Sequence, residues 1–152
     1  MASRNYPSDY VALAGGGMSK ALDNTTLDSD WINMGHFEYV VFDIICLDPS
    51  ADTTVDAKLR SADDSSGTNA ADITGLAITQ FTAATTRKLA RLVVRADELN
   101  GNDKYVGCRV TGGNGTVGIT VGIIANGFGG DYDPAENYDS SVVQEVKKLG
   151  VS

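Results

Sequence analysis

Tyr39-Val40-Val41-Phe42-Asp43-Ile44-Ile45-Cys46-Leu47 is the stretch on which the fold turns. Its β-branched and aromatic residues suit a pleated, packed strand. Apolar side chains stand at both odd and even positions. The stretch is therefore expected to be a central strand covered on both faces. It falls well short of the ~18 apolar residues that would cross a bilayer, and Asp43 interrupts it. Asp48-Pro49-Ser50 ends it, because proline brings no N–H to a ladder.

Further strand patterns follow on its C-terminal side. Residues 54–61 alternate, with Val55, Ala57 and Leu59 on one face and Asp56, Lys58 and Arg60 on the other, the mark of a strand with one wet face. Asp63-Asp64-Ser65-Ser66-Gly67-Thr68-Asn69 reads as a loop. Strands are expected at 73–82 and 87–96, the second with Ala90, Leu92, Val94 and Ala96 together. Asn100-Gly101-Asn102-Asp103 reads as a turn. Residues 105–111 point Val106, Cys108 and Val110 inward. Gly112-Gly113-Asn114-Gly115 is expected to close a hairpin onto a last strand, 116–124, with Val117, Ile119, Val121 and Ile123 inward.

Strand patterns every 10 to 20 residues, with glycine-rich turns and no amphipathic helix between them, imply an all-β sandwich or jelly roll of antiparallel sheets. Three segments of one domain are expected. Residues 1–36 form a polar N-terminal arm and entry segment, in which Gly15-Gly16-Gly17 reads as a hinge. Residues 37–125 form the sandwich core. Residues 126–152 form a Gly/Asp/Tyr-rich tail with a short helix at 141–149, whose Val142, Val143, Val146 and Leu149 share a side.

The chain has 152 residues, enough for one core without disulfide staples. Its net charge of −8 opposes a phosphate backbone, so nucleic acid is not the expected partner. No apolar leader opens the sequence, and no membrane association is expected. Cys46 and Cys108 lie 62 residues apart, which matches no zinc motif. Both are expected as buried free thiols, in keeping with synthesis in a reducing cytoplasm.

Catalytic chemistry is not written in the residues. One histidine, His36, has no nucleophile motif beside it, and there is no G-x-S-x-G, P-loop or H-E-x-x-H pattern. The pairs Asp48/Asp52, Asp63/Asp64 and Asp131/Asp133 offer oxygen ligands but lack the order of a calcium loop. They read as solvated turns. No enzyme activity, metal or cofactor is expected.

Two features point to a partner surface. Residues 87–109 carry six basic side chains against three acids, a local +3 that leaves −11 for the rest of a chain totalling −8. If strands 87–96 and 105–111 pair, Arg91, Arg95 and Arg109 share a face, with Arg87 beside them. Arginine forks suit carboxylates at an interface. The second feature is Gly118, Thr120 and Gly122 on the last strand, a small-residue face that invites a covering backbone. The entry segment with Tyr6 and Tyr10, the tail with Phe128, Tyr132 and Tyr138, or a neighbouring subunit would supply the cover.

Val55-Asp56-Ala57-Lys58-Leu59-Arg60-Ser61-Ala62-Asp63-Asp64, Asp72-Ile73-Thr74-Gly75-Leu76-Ala77-Ile78-Thr79-Gln80 and Gly115-Thr116-Val117-Gly118-Ile119 resemble the head decoration, or capsid cement, proteins of tailed bacteriophages. The resemblance covers the central two-thirds of the chain. It implies a virion protein that binds the outer face of a major capsid protein shell and stabilises it, commonly as a homotrimer. Alternatives from the same strand pattern are a carbohydrate-binding-like sandwich module and a head–tail or tail component. Trp31 precedes the main strands and aromatics total 7 %, which is sparse for a sugar platform.

Overall fold

The computed structural model describes residues 11–22, 24–47, 53–83, 88–113 and 119–129. Among the described residues, ten strands carry the fold: β1 (Val11–Leu22), β2 (Thr25–Asp28), β3 (Ile32–Asn33), β4 (Tyr39–Leu47), β5 (Thr53–Ala62), β6 (Ala71–Ala77), β7 (Phe81–Ala83), β8 (Lys88–Arg95), β9 (Tyr105–Gly113) and β10 (Ile119–Phe128). The first sheet runs β1-β10-β4-β8 and the second β2-β9-β5-β6, with β3 also on β9 and β7 also on β5. All pairings are antiparallel. The all-β sandwich expected from the strand pattern is the observed architecture.

The pairings are nested. β1 pairs with β10, β2 and β3 with β9, β4 with β8, and β5 with β6 and β7. Taking β2/β3 and β6/β7 as interrupted strands, one long hairpin has been rolled into two four-strand sheets, which is jelly-roll order.

Inward residues from both sheets make the core. Val40, Phe42, Ile44 and Cys46 of β4 face Val55, Ala57 and Leu59 of β5 and Val106, Cys108 and Val110 of β9, all essentially sealed from solvent. Ile119, Val121, Ile123 and Ala125 of β10 and Leu92 and Val94 of β8 complete it. Each large apolar side chain so buried contributes about 1.5–3 kcal/mol. Phe37 enters this core over Gly127. A Cβ on Gly127 would stand 2.7 Å from the ring's Cγ, so the glycine makes room for the aromatic ring.

The structure corrects several expectations. Gly112-Gly113 does not lead into a hairpin, because β9 belongs to the second sheet and β10 to the first. The pattern of alternation is identical for strands in one sheet or in facing sheets, and only packing chooses. Gly112 lies against Leu22 and Ile119, where a Cβ would meet Leu22 at 2.9 Å. Likewise β8 and β9 do not pair. Gly15-Gly16-Gly17 is no hinge but the middle of β1, bonded to β10. Residues 11–36, expected as an entry segment, supply three strands to the two sheets. The strand expected at 73–82 is broken between β6 and β7. Central β4 is covered well on its inner face, while Tyr39 on its outer face is 36 % exposed. The helix expected at 141–149 lies outside the described residues, as do Tyr6, Tyr10, Arg87 and Gly118. No helix among the described residues is long and apolar enough to cross a membrane.

Candidate interaction surface

The outer faces of the two sheets differ in chemistry. On the second sheet, β5 and β9 place Lys58 directly opposite Arg109, and β2 places Asp28 on Arg109's other side. The Asp28 carboxylate accepts from Arg109 Nε and from its terminal guanidinium nitrogen, both at 2.6 Å. That fork holds the Asp28 carboxyl below the usual carboxylate range. Asp72 of β6 accepts from Lys58 Nζ at 2.6 Å and from Arg60 Nε at 3.1 Å, and its carboxyl is lowered by the Lys58 bond first. This face is charged, with the adjacent cations Lys58 and Arg109 each held by a carboxylate of the same chain.

The first sheet's outer face is apolar. Register puts Val11, Phe128, Tyr39 and Arg95 in one row across β1, β10, β4 and β8. The next row holds Leu13, Asn126, Val41 and Val93. Ile124, Asp43 and Arg91 follow, then Gly122, Ile45 and Leu89. The large apolar residues left most exposed among those described are Leu13, Tyr39, Leu89, Val93 and Ile124, and every one stands on this face. Leu89, at 67 %, is the barest. A mostly apolar face of this kind, broken by Asn126 and the Asp43–Arg91 pair, is a candidate place of contact.

One ion pair sits inside this face. Arg91 Nε reaches Asp43 at 2.6 Å and the second prong closes at 3.0 Å. The Asp43 side chain is 18 % exposed, whereas that of Arg91 is 62 % exposed, so the guanidinium roofs the carboxylate. At the corner, Arg95 Nε meets Asp97 at 3.1 Å. Glu38, Tyr39, Arg95, Ala96 and Asp97 line an open cleft of about 510 Å³ there.

The basic stripe therefore divides. Arg91 and Arg95 lie on the first sheet and Arg109 on the outer face of the second, on the opposite side of the sandwich. Each has a carboxylate of its own chain: Asp43, Asp97 and Asp28. The sequence carried one sign of this in Asp43, a lone carboxylate in an apolar strand, which needs a cation on a neighbouring strand. Thr120 and Gly122 do share the outer face of β10, but a Cβ on Gly122 would meet nothing within 4 Å among the described residues. No described backbone lies over it. Close backbone approach occurs instead at Gly16, 2.5 Å from the Ile123 carbonyl oxygen by the same measure.

Tyr39, Phe128 and Trp31 are already engaged within the chain. Tyr39 and Phe128 stack face to face, 4.9 Å apart and within 6° of parallel. Trp31 lies in a slot between Gly67 and Gly107. Gly67 adopts φ +78°, and a Cβ there would strike the indole at 2.6 Å. In the acidic loop, Asp64 accepts from the N–H groups of Ser66 at 2.8 Å and Thr68 at 3.2 Å, and Asp63 accepts from Asn69 at 2.7 Å. These carboxylates are spent on shaping the turn. Among the described residues no three His, Cys, Asp or Glu side chains gather as metal ligands. Cys46 and Cys108 are buried free thiols; burial raises both, Cys108 to about 12.

A two-sheet jelly roll with one charged and one apolar outer face is the class these features define. No protein-family model matches the chain, and no curated protein does. Among solved structures it is similar to a chain in the structure of infectious bursal disease virus, Gx strain, at 15 % identity and a TM-score of 0.43. The match takes in 84 % of this chain and 31 % of the viral chain, so this protein spans under a third of that chain's length. The architecture rests on the strand order, not on that likeness.

Proposed function

We propose that the protein is a non-enzymatic virion component that binds the outer surface of a tailed-phage capsid and stabilises the shell, docking through the apolar outer face of β1-β10-β4-β8. The observation that carries this reading is the gathering of Leu13, Tyr39, Leu89, Val93 and Ile124 on that one face. A stiff sandwich repeated over a symmetric shell turns many modest contacts into firm attachment. Jelly-roll order, which viral capsid and lectin domains share, is compatible with the role, and so is the resemblance of the central strands to decoration proteins. The resemblance also implies a trimer, with the major capsid protein as partner and no nucleic acid or lipid.

The sugar-binding alternative has less support. A sugar platform offers free aromatic faces, whereas Tyr39 and Phe128 cover each other and Trp31 is held between two glycines.

Co-sedimentation with shells of the encoding phage tests the proposal. Wild-type protein should pellet with shells, and Leu13→Ser with Ile124→Ser should weaken pelleting by about tenfold or more, with folding retained. Undiminished binding by the double variant would remove this face from the role.

A further inference from the structure

The first sheet has two edges, and they are finished differently. At the β1 edge, Gly16 donates its N–H to the Asp30 carboxylate at 3.1 Å and accepts the Asp30 N–H at 3.0 Å. That edge is occupied by the chain itself. At the other edge, among the described residues, β8 pairs only with β4. The direction of its backbone groups follows from one bond. Ala96 donates to the Glu38 carbonyl at 3.0 Å, and the β4–β8 register is unbroken from Tyr39/Arg95 to Cys46/Lys88. In an antiparallel pair the bonded residues alternate. Ala90, Leu92 and Val94 therefore bond β4, and Leu89, Arg91, Val93 and Arg95 aim N–H and C=O at the open side. Arg95 agrees, since its N–H is taken by the Glu98 carboxylate at 2.8 Å. Leu89, Arg91 and Val93 have no such partner among the described residues.

Proteins guard open edges with charge. Here the guard is neutralised, because Arg91 is forked onto Asp43 within its own sheet. The two side chains flanking it, Leu89 and Val93, are the most exposed large hydrophobics described. We infer that the β8 edge pairs antiparallel with the β8 edge of a second copy across a two-fold axis, joining the two first sheets into one continuous sheet. A second copy's β1 cannot serve, because Asp30 closes that edge at Gly16. One symmetric register suits the side chains. With Leu92 facing Leu92 of the second copy on the axis, Arg91 lies opposite Val93 and Leu89 opposite Arg95. Each pair of Arg91 with Val93 then exchanges both backbone bonds, and no arginine faces an arginine. The two-fold contact is isologous. It uses the strand edge, leaves Leu13 and Ile124 uncovered, and stands independently of shell binding; a trimer would need a different surface.

Native mass spectrometry of the full chain, with amide hydrogen exchange by NMR, tests this. The wild type should assemble in an even number of copies at micromolar concentration. Its Leu89, Arg91 and Val93 amides should become protected as concentration rises, while those of Ala90, Leu92 and Val94 stay protected throughout. Val93→Pro removes an N–H that the β4 ladder does not use and should halve the assembly mass. Val93→Lys, which restores a charged guard without altering the backbone, should do the same if the proline variant fails to fold. A monomeric wild type, an unchanged mass in the folded variants, or edge amides that exchange freely at every concentration would overturn the pairing. Leu13→Ser with Ile124→Ser, which leaves the β8 edge untouched, should keep the wild-type assembly mass while shell binding falls, and so separates this contact from the docking face.

Discussion

Arg91 and Asp43 stand directly opposite one another on β8 and β4, bound by a two-pronged ion pair on the outside of the first sheet. The most conspicuous cation of the basic stripe is thus answered within the chain. In the proposed docking, contact across this face then depends on apolar area more than on charge steering.

Wild-type association with a shell should therefore vary only weakly with ionic strength. Asp43→Asn uncovers the Arg91 charge and should steepen that salt dependence if the shell surface is acidic. Sedimentation binding curves across a salt series measure both slopes; equal slopes would show that the Arg91 charge plays no part.

Glycine positions that look alike in sequence should differ in cost. Gly127→Ala drives a methyl into the Phe37 ring and should destabilise the fold by about 1–3 kcal/mol. Gly122→Ala meets no described atom, and removing a strand glycine should stabilise by roughly 0.5–1 kcal/mol. Urea titrations of both variants decide this, and a large loss at Gly122 would show that a backbone covers it.

Cys46 and Cys108 should resist a thiol reagent in the native protein at pH 8 and react promptly once unfolded. Cys108 is pushed up to about 12, chiefly by burial and secondarily by the nearby Asp28 charge. Because its folded value exceeds the ordinary 9.0, stability should fall as pH rises from about 9 toward 12. Cys108→Ala should blunt that alkaline loss in a pH series of melting curves.

Acid should act at Asp28. Its carboxyl is lowered by the Arg109 fork, so the stabilisation is present above the ordinary value of 3.8 and is lost as pH falls below it. The pair is partly exposed, which limits its worth to about 0.2–1 kcal/mol. Asp28→Asn should flatten the acid limb of the stability curve by that amount, and an unchanged limb would assign the acid loss elsewhere.

The sequence by itself determined the strands and their inward faces. Val55, Ala57 and Leu59, then Val106, Cys108 and Val110, alternate with a period of two, and that period is a property of the extended backbone. The buried faces were legible wherever one side of a strand is dry. Sheet membership was not legible, because alternation is blind to whether Gly112-Gly113 turns back into the same sheet or crosses to the facing one. Only the tertiary structure decided that β9 and β10 part company there, and so placed Arg91 and Arg109 on opposite sides of the sandwich. It also decided which charges are free. Asp43 and Arg91 are 48 residues apart, and Asp28 and Arg109 are 81 apart, distances over which no local rule operates. Each pair is made by strand register, and register is set when the inward side chains of both sheets find one arrangement that excludes water.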